Sequence, residues 1–136
     1  MVELEHPEGS TIFTEQGKKI LLGRSTSIQW RDNGTCPTEE EYKKMVSNRT
    51  ASLFELCVRL ADFFTDYKKD FGALNDTMGL YYHVRADYIN LLSQSNLSRK
   101  PYLEDLAEGN FIFPAIHAIH NSDSHEVISI LFRFAQ

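Results

Sequence analysis

Apolar positions in the middle of the chain follow a helical spacing. Between Tyr42 and Phe64 they recur every three or four residues, and a second series with the same spacing runs from Phe71 to Leu92. A polar stretch from Thr65 to Lys69 separates the two series. The pattern therefore predicts two long helices with a break between them.

The first of these helices has a clear start signal. Thr38 is followed three residues later by Glu41, which is the spacing of a capping box. In that arrangement the hydroxyl and the carboxylate each accept a hydrogen bond from a backbone amide that the helix leaves unpaired. Pro37, just before the cap, stands where a residue without an amide hydrogen is tolerated.

The first 36 residues have a weaker pattern. Residues 14–22 predict a short helix, although Gly17 and Gly23 lower its helix propensity. Residues 23–36 read as a loop, with Asn33-Gly34 as a turn signal.

Beyond the second long helix the predicted elements are short. Residues 93–101 are polar and predict a loop, and residues 102–109 predict a short helical segment or turn. Residues 113–119 and 126–134 read as short helices. Because no segment alternates between apolar and polar residues at strand spacing, we expect an all-α fold of antiparallel helices.

Length and charge narrow the functional classes. The chain has 136 residues, which suits one domain, and 14 basic against 19 acidic residues give a net charge of −5. A net-acidic chain is a poor binder of nucleic acid, which requires basic residues to neutralise phosphates. No apolar run approaches the ~20 residues of a transmembrane segment, and the first residues lack the pattern of a secretory signal. Two cysteines are too few for a disulfide scaffold, so we expect reduced thiols and a cytoplasmic location.

Three histidines lie close together near the end of the chain. His117 and His120 are three residues apart and could share a helix face as metal ligands, with His125 and Asp123 nearby. No cysteine or carboxylate at a matching spacing completes such a site. Surface or half-buried histidines without a metal are therefore the favoured interpretation.

Two further sets of polar residues stand on the long helices. His83, Asp87 and Asn90 share one helical stripe, which suits either a divalent ion or the polar side of a packed helix. The cations Arg49, Arg85 and Arg99-Lys100 could converge on a diphosphate or could be solvated surface charges. From the spacing alone, the polar side of a packed helix and solvated surface charges are the favoured interpretations.

Three longer runs carry a family resemblance. The runs are WRDNGTCPTEEEYKKMVSNRT, FFTDYKKDFGALNDTMGLYYHVRADYINL and LEDLAEGNFIFPAIHAI. Together they resemble the geranylgeranyl diphosphate synthases, which are trans-isoprenyl diphosphate synthases. The similarity extends from about residue 6 to about residue 130.

The resemblance implies an all-α isoprenyl synthase bundle and a magnesium-dependent prenyl transfer. In this family an allylic diphosphate such as farnesyl diphosphate ionises, and isopentenyl diphosphate attacks the carbocation. Magnesium ions on two aspartate-rich motifs, together with Lys and Arg side chains, stabilise the departing pyrophosphate. The implied cofactor is therefore Mg²⁺, and the implied ligands are isoprenyl diphosphates.

The second aspartate-rich motif resembles the segment from Ala86 to Asn90. The family begins this motif with two adjacent aspartates, and here the first of them is Ala86. Asp87 and Asn90 remain as the implied metal ligands. The loss of one principal carboxylate weakens a magnesium cluster, because hard Mg²⁺ requires oxygen ligands.

Other matches concern the diphosphate. The family's lysine-threonine pair corresponds to Arg49 and Thr50, of which Arg49 binds the diphosphate and Thr50 has a catalytic role. A glutamine three residues before the aspartate motif corresponds to His83, also implied as catalytic. Lys100 matches a diphosphate-binding lysine in the following loop.

The resemblance covers only the central and C-terminal part of the family's fold. We expect residues 1–136 to form one partial domain that lacks the first aspartate-rich motif and the last helices. Apolar helix faces should then be exposed, which favours a homo-oligomer or association with a full-length synthase. We expect no turnover by the chain alone. A non-catalytic partner or regulator of a full-length synthase, or a degenerate gene product, is the alternative.

Overall fold

A computed structural model of the chain describes residues 7–66, 69–92 and 103–121. Two long helical runs dominate it: α1 spans Pro7–Asn33, and α2, at Glu39–Val46, begins a run that ends at Phe64. A third long helix and two short ones follow, α4 at Gly72–Leu92, α5 at Glu104–Ala107 and α6 at Phe113–Asn121. The described residues contain helices and no strand, which confirms the all-α prediction.

The run that starts at Thr38 confirms the helix predicted from the apolar spacing. The Thr38 hydroxyl accepts from the Glu41 amide at 3.2 Å, and the Glu41 carboxylate accepts from the Thr38 amide at 2.8 Å. Inside this run, Ser47–Ala51 forms one π-helical turn before α3 continues at Ser52–Ala61. A 3₁₀ turn at Asp62–Phe64 ends the run, close to the predicted end. We call Ser47–Ala51 the π segment.

The loop predicted for residues 23–36 is wrong, because α1 continues without a break to Asn33. Gly23 lies where α1 touches the backbone of Arg49 and the carbonyl of Met45. This close contact between helices outweighs the low helix propensity of glycine. The helix ends where the Asn33-Gly34 signal predicted a turn, since Gly34 has a φ of 59°, the left-handed conformation that ends many helices.

The helices enclose a small core. Tyr42, Met45, Val46 and Ile116 are fully buried, with Trp30 and Phe113 packed around them. A second cluster, formed by Leu106, Ile112 and Ala115, lies beside the first. The core therefore joins α2 to α6, while α1 and α4 pack against the π segment from either side.

Several large apolar side chains lie outside this core, as expected from the partial match. Phe64 is 81% exposed, and Leu21, Tyr81 and Leu92 are each more than half exposed. Whether a homo-oligomer or another chain covers them stays a prediction. Among the described helices, none combines the length and apolar character that a membrane-spanning helix requires.

The remaining predictions for the second half have mixed outcomes. α4, α5 and α6 confirm the helices predicted from the spacing after Phe71 and from residues 102–109 and 113–119. The loop predicted for residues 93–101 and the helix predicted for residues 126–134 lie outside the described residues.

Candidate polar cavity between the π segment and α4

A cavity of about 400 Å³ opens between α1, the π segment, α4 and the stretch from α5 to Ile112. Its polar lining comes from Ser27, Arg49, Thr50, His83, Asp87, Asp105 and Asn110. We call it the Arg49 cavity. Four of the six site residues predicted from the resemblance thus meet in one place, although they come from two separate elements.

The π segment determines where Arg49 and Thr50 lie. It is held between two glycines, Gly23 of α1 and Gly79 of α4. A Cβ atom at Gly79 would lie 2.7 Å from the Cα of Ala51, and one at Gly23 would lie 2.8 Å from the amide nitrogen of Arg49. Both neighbouring helices therefore approach the backbone of this turn directly. π turns inside α-helices are frequent at functional sites.

His83 and Thr50 form a hydrogen-bonded pair in the cavity wall. The Thr50 hydroxyl lies 2.8 Å from the Nδ1 atom of His83, and the tautomer of the ring sets the direction of this bond. Burial and, to a smaller extent, the positive charge of Arg49 lower the pKa of His83 to about 4, while Asp105 opposes both effects. The imidazole is therefore neutral at neutral pH.

Asp87 is held by two donors in the cavity wall. Its Oδ2 atom accepts from the Tyr42 hydroxyl at 2.5 Å and from the backbone amide of Phe113 at 2.9 Å. Burial raises the pKa of Asp87, and the two hydrogen bonds oppose this effect. Burial and the nearby Asp87 carboxylate also raise the pKa of Tyr42, which keeps its hydroxyl protonated as the donor.

The other two predicted site residues are not part of the described cavity lining. Asn90 is buried beside it, and its Oδ1 atom has no hydrogen-bond partner among the residues that the structure describes. Its backbone carbonyl accepts from the Leu103 amide at 3.3 Å. Lys100 lies outside the described residues.

The other candidate residues from the sequence lie elsewhere. His117 contacts Glu39 with an Nδ1 to Oε1 distance of 2.7 Å, and His120 Nε2 donates to the Pro37 carbonyl at 2.8 Å. Both histidines thus tie α6 to the start of α2. Arg85 is exposed on α4 and does not line the Arg49 cavity. His125 and Arg99 lie outside the described residues.

Two contributors to this site were missed in the sequence. Tyr42 was assigned only as an apolar core position, yet its hydroxyl binds Asp87. Gly79 interrupts an otherwise helical pattern, and an isolated glycine in such a place often has a packing reason.

A family model described as polyprenyl synthetase matches residues 1–133. The chain belongs to the polyprenyl synthetase family. Members of this family are generally magnesium dependent. The resemblance found in the sequence is thereby confirmed.

Curated relatives of this polyprenyl synthetase family chain carry two kinds of name. A terpene synthase of Matsumurasca onukii is 42% identical over 132 residues, which are 96% of this chain and 44% of that protein. The geranylgeranyl pyrophosphate synthase olcC of Penicillium canescens is 44% identical, over 92% of this chain and 38% of its own length. A geranylgeranyl pyrophosphate synthase of Dictyostelium discoideum is 41% identical, over 91% of this chain and 41% of its own length. The chain thus spans about two fifths of the length of these relatives.

The donor set of the Arg49 cavity does not fit a magnesium cluster. Within the described ranges, no three His, Cys, Asp or Glu side chains are grouped so that they could hold a metal ion. Asp87 already accepts two hydrogen bonds at Oδ2, and the neighbouring Ala86 has no oxygen to offer. The assignment of Asp87 and Asn90 to magnesium stays a prediction.

Proposed function

We propose that this chain is a geranylgeranyl diphosphate synthase-like prenyltransferase of isoprenoid biosynthesis, and that its described part binds the diphosphate of an isoprenyl substrate. The observation that carries the proposal is the convergence of Arg49, Thr50 and His83 on one cavity. The family reaction would join isopentenyl diphosphate to an allylic diphosphate. The names of the synthase relatives support this substrate class.

Arg49 supplies the positive charge of this site. A guanidinium group forms charge-assisted hydrogen bonds with phosphate oxygens and keeps its charge at every physiological pH. Thr50 adds a hydroxyl beside it, and the neutral ring of His83 fixes the position of that hydroxyl. The three groups therefore suit a phosphate oxygen that approaches from the cavity.

The charge balance of the cavity limits what the chain does alone. Asp105 and Asp87 line the same cavity and repel an anionic diphosphate. Lys100 and the parts of the family fold that this chain does not match would have to add positive charge. We therefore expect binding of a diphosphate without turnover by the chain alone.

Replacement of Arg49 tests the binding proposal. We expect Arg49→Ala to weaken the binding of farnesyl diphosphate by about 10- to 100-fold, since a hydrogen bond to a charged group contributes about 1.5–3 kcal/mol. Arg49→Lys should restore part of the affinity. Isothermal titration calorimetry on the full chain measures both dissociation constants.

Arg24→Ala is the matched control, because Arg24 is an exposed arginine of α1 that does not line the cavity. Equal loss of affinity in Arg24→Ala and Arg49→Ala, or no binding by the unmodified chain, would contradict the proposal.

A turnover assay tests the expected inactivity. The chain is incubated with magnesium, isopentenyl diphosphate and farnesyl diphosphate, and prenyl products are measured. We expect no product, and we expect none from Ala86→Asp, because one restored carboxylate does not replace the unmatched first motif. Product from the chain alone would overturn the inactive interpretation.

A non-catalytic partner of a full-length synthase is the second candidate function. The exposed apolar side chains favour it, since such surfaces mark contacts with other chains. The discriminating measurement mixes the chain with a full-length geranylgeranyl diphosphate synthase. A change of rate that survives dilution supports the partner role, whereas an unchanged rate and no co-migration on gel filtration oppose it.

A further inference from the structure

We infer that the carboxylate of Asp87 clamps α2 and α6 to α4, in place of the metal-binding role that the family resemblance implies for this position. One oxygen atom makes both contacts. Oδ2 accepts from the hydroxyl of Tyr42 on α2 and from the amide of Phe113, the first residue of α6. Three elements distant in the sequence therefore meet at one buried atom.

Each donor of the clamp needs an acceptor. Phe113 is the first residue of its helix, where amides have no carbonyl partner within the helix. Tyr42 is completely buried, and a buried tyrosine hydroxyl without a partner is costly. Asp87 satisfies both groups, and a carboxylate near the start of α6 also interacts favourably with the helix dipole.

The same geometry makes Oδ2 a poor metal ligand. Two donor hydrogens already point at this atom, and their positive ends would repel a cation placed beside it. The adjacent Ala86 has no side-chain oxygen that could act as a second ligand.

The clamp also affects the Arg49 cavity. Phe111 and Ile112 line this cavity and directly precede the clamped amide of Phe113. The ring of Phe113 packs against Tyr42 with ring centroids 5.4 Å apart. Asp87 is therefore a positioning residue that fixes this side of the cavity through residues 111–113.

Three variants test the clamp on the full chain. Asp87→Asn keeps an acceptor oxygen, Asp87→Ala removes it, and Tyr42→Phe removes one donor. We expect Asp87→Asn to lower the Tm by about 2–4 °C, the size of a weakened hydrogen bond in a chain of this length. Asp87→Ala should lower the Tm at least twice as far. Its effect should be less than additive with Tyr42→Phe, because both remove the same contact.

Hydrogen exchange at the Phe113 amide distinguishes a local loss of the clamp from a general loss of stability. We expect faster exchange relative to neighbouring core amides in Asp87→Ala, with protection largely restored in Asp87→Asn. Asp76→Asn is the control, since Asp76 is an exposed aspartate on the same helix that accepts from Ser47. It should leave the exchange of Phe113 unchanged.

A metal titration tests whether Asp87 acts as a clamp or as a metal ligand. The Tm of the unmodified chain and of Asp87→Asn is measured with and without Mg²⁺ plus inorganic pyrophosphate. We expect the same response, or the same lack of response, in both proteins. A magnesium-dependent rise in Tm that Asp87→Asn abolishes, or additive effects of Asp87→Ala and Tyr42→Phe, would overturn the inference. None of these measurements needs a prenyl substrate. The clamp can therefore be supported or contradicted independently of the proposed function.

Discussion

Gly79→Ala is expected to destabilise the chain by about 1–2 kcal/mol. The new Cβ would lie 2.7 Å from both the Cα and the amide nitrogen of Ala51, which are backbone atoms of the π segment. A clash with backbone requires the helices to separate, and overpacking of this kind costs about 1–3 kcal/mol or occasionally more. The higher helix propensity of alanine, about 1 kcal/mol, offsets only part of it.

The glycine of α1 that faces open space provides the control. Gly17 has no heavy atom within 4 Å of an added Cβ. Gly17→Ala should therefore stabilise the chain by about 0.5–1 kcal/mol, since alanine suits a helix better. Urea unfolding followed by far-ultraviolet circular dichroism measures both variants. Shifts of the same sign in the two variants would contradict the close approach of α4 to the π segment.

The position of Arg49 should depend on the same contact between Gly79 and Ala51. Because Gly79 presses on the π segment that carries Arg49 and Thr50, the Gly79→Ala variant should also bind farnesyl diphosphate less tightly. Gly17→Ala should bind it as the unmodified chain does.

Acid is expected to destabilise the chain through His83. The pKa of His83 is about 4 in the folded chain, against about 6.5 for an exposed histidine, because burial and Arg49 disfavour the charged ring. Between these values the unfolded chain binds a proton that the folded chain does not bind. Stability therefore falls as the pH falls from about 6.5 to 4, by on the order of 3 kcal/mol in total.

His83→Gln isolates this contribution. Glutamine does not titrate, it can still bond to Thr50, and the family resemblance implies it at this position. We expect the variant to lose most of the decline between pH 6.5 and 4 when the free energy of unfolding is measured by urea titration at each pH. His120→Gln is the matched control and should keep the decline of the unmodified chain. An unchanged decline in His83→Gln would show that other groups cause it.

Two carboxyl groups respond to acid in opposite directions. The pKa of Asp87 is raised, so this group favours the folded chain as the pH falls through its folded pKa. The pKa of Glu41 is lowered by its hydrogen bonds to Thr38, so its contribution is lost as the pH falls. The comparison of His83→Gln with the unmodified chain cancels both effects.

Part of the candidate site could be predicted from the sequence. The resemblance pointed to Arg49, Thr50, His83 and Asp87, and the structure places all four around one cavity. Helical spacing alone did not show whether each residue belongs to a ligand site or to a polar surface. Spacing within one helix does not say which helices face each other. The partners of Asp87 could not be predicted for the same reason, since Tyr42 and Phe113 belong to other helices.

Local signals were enough to predict several helices from the sequence. The capping box at Thr38, the apolar spacing after Tyr42 and Phe71, and the turn at Gly34 all act within a few residues. In contrast, the continuation of α1 through Gly23 and the π turn in the run after Thr38 were visible only in the folded chain. Both depend on backbone contacts between helices, with Gly23 against Arg49 and Gly79 against Ala51, and such contacts outweigh the local preference of a single residue.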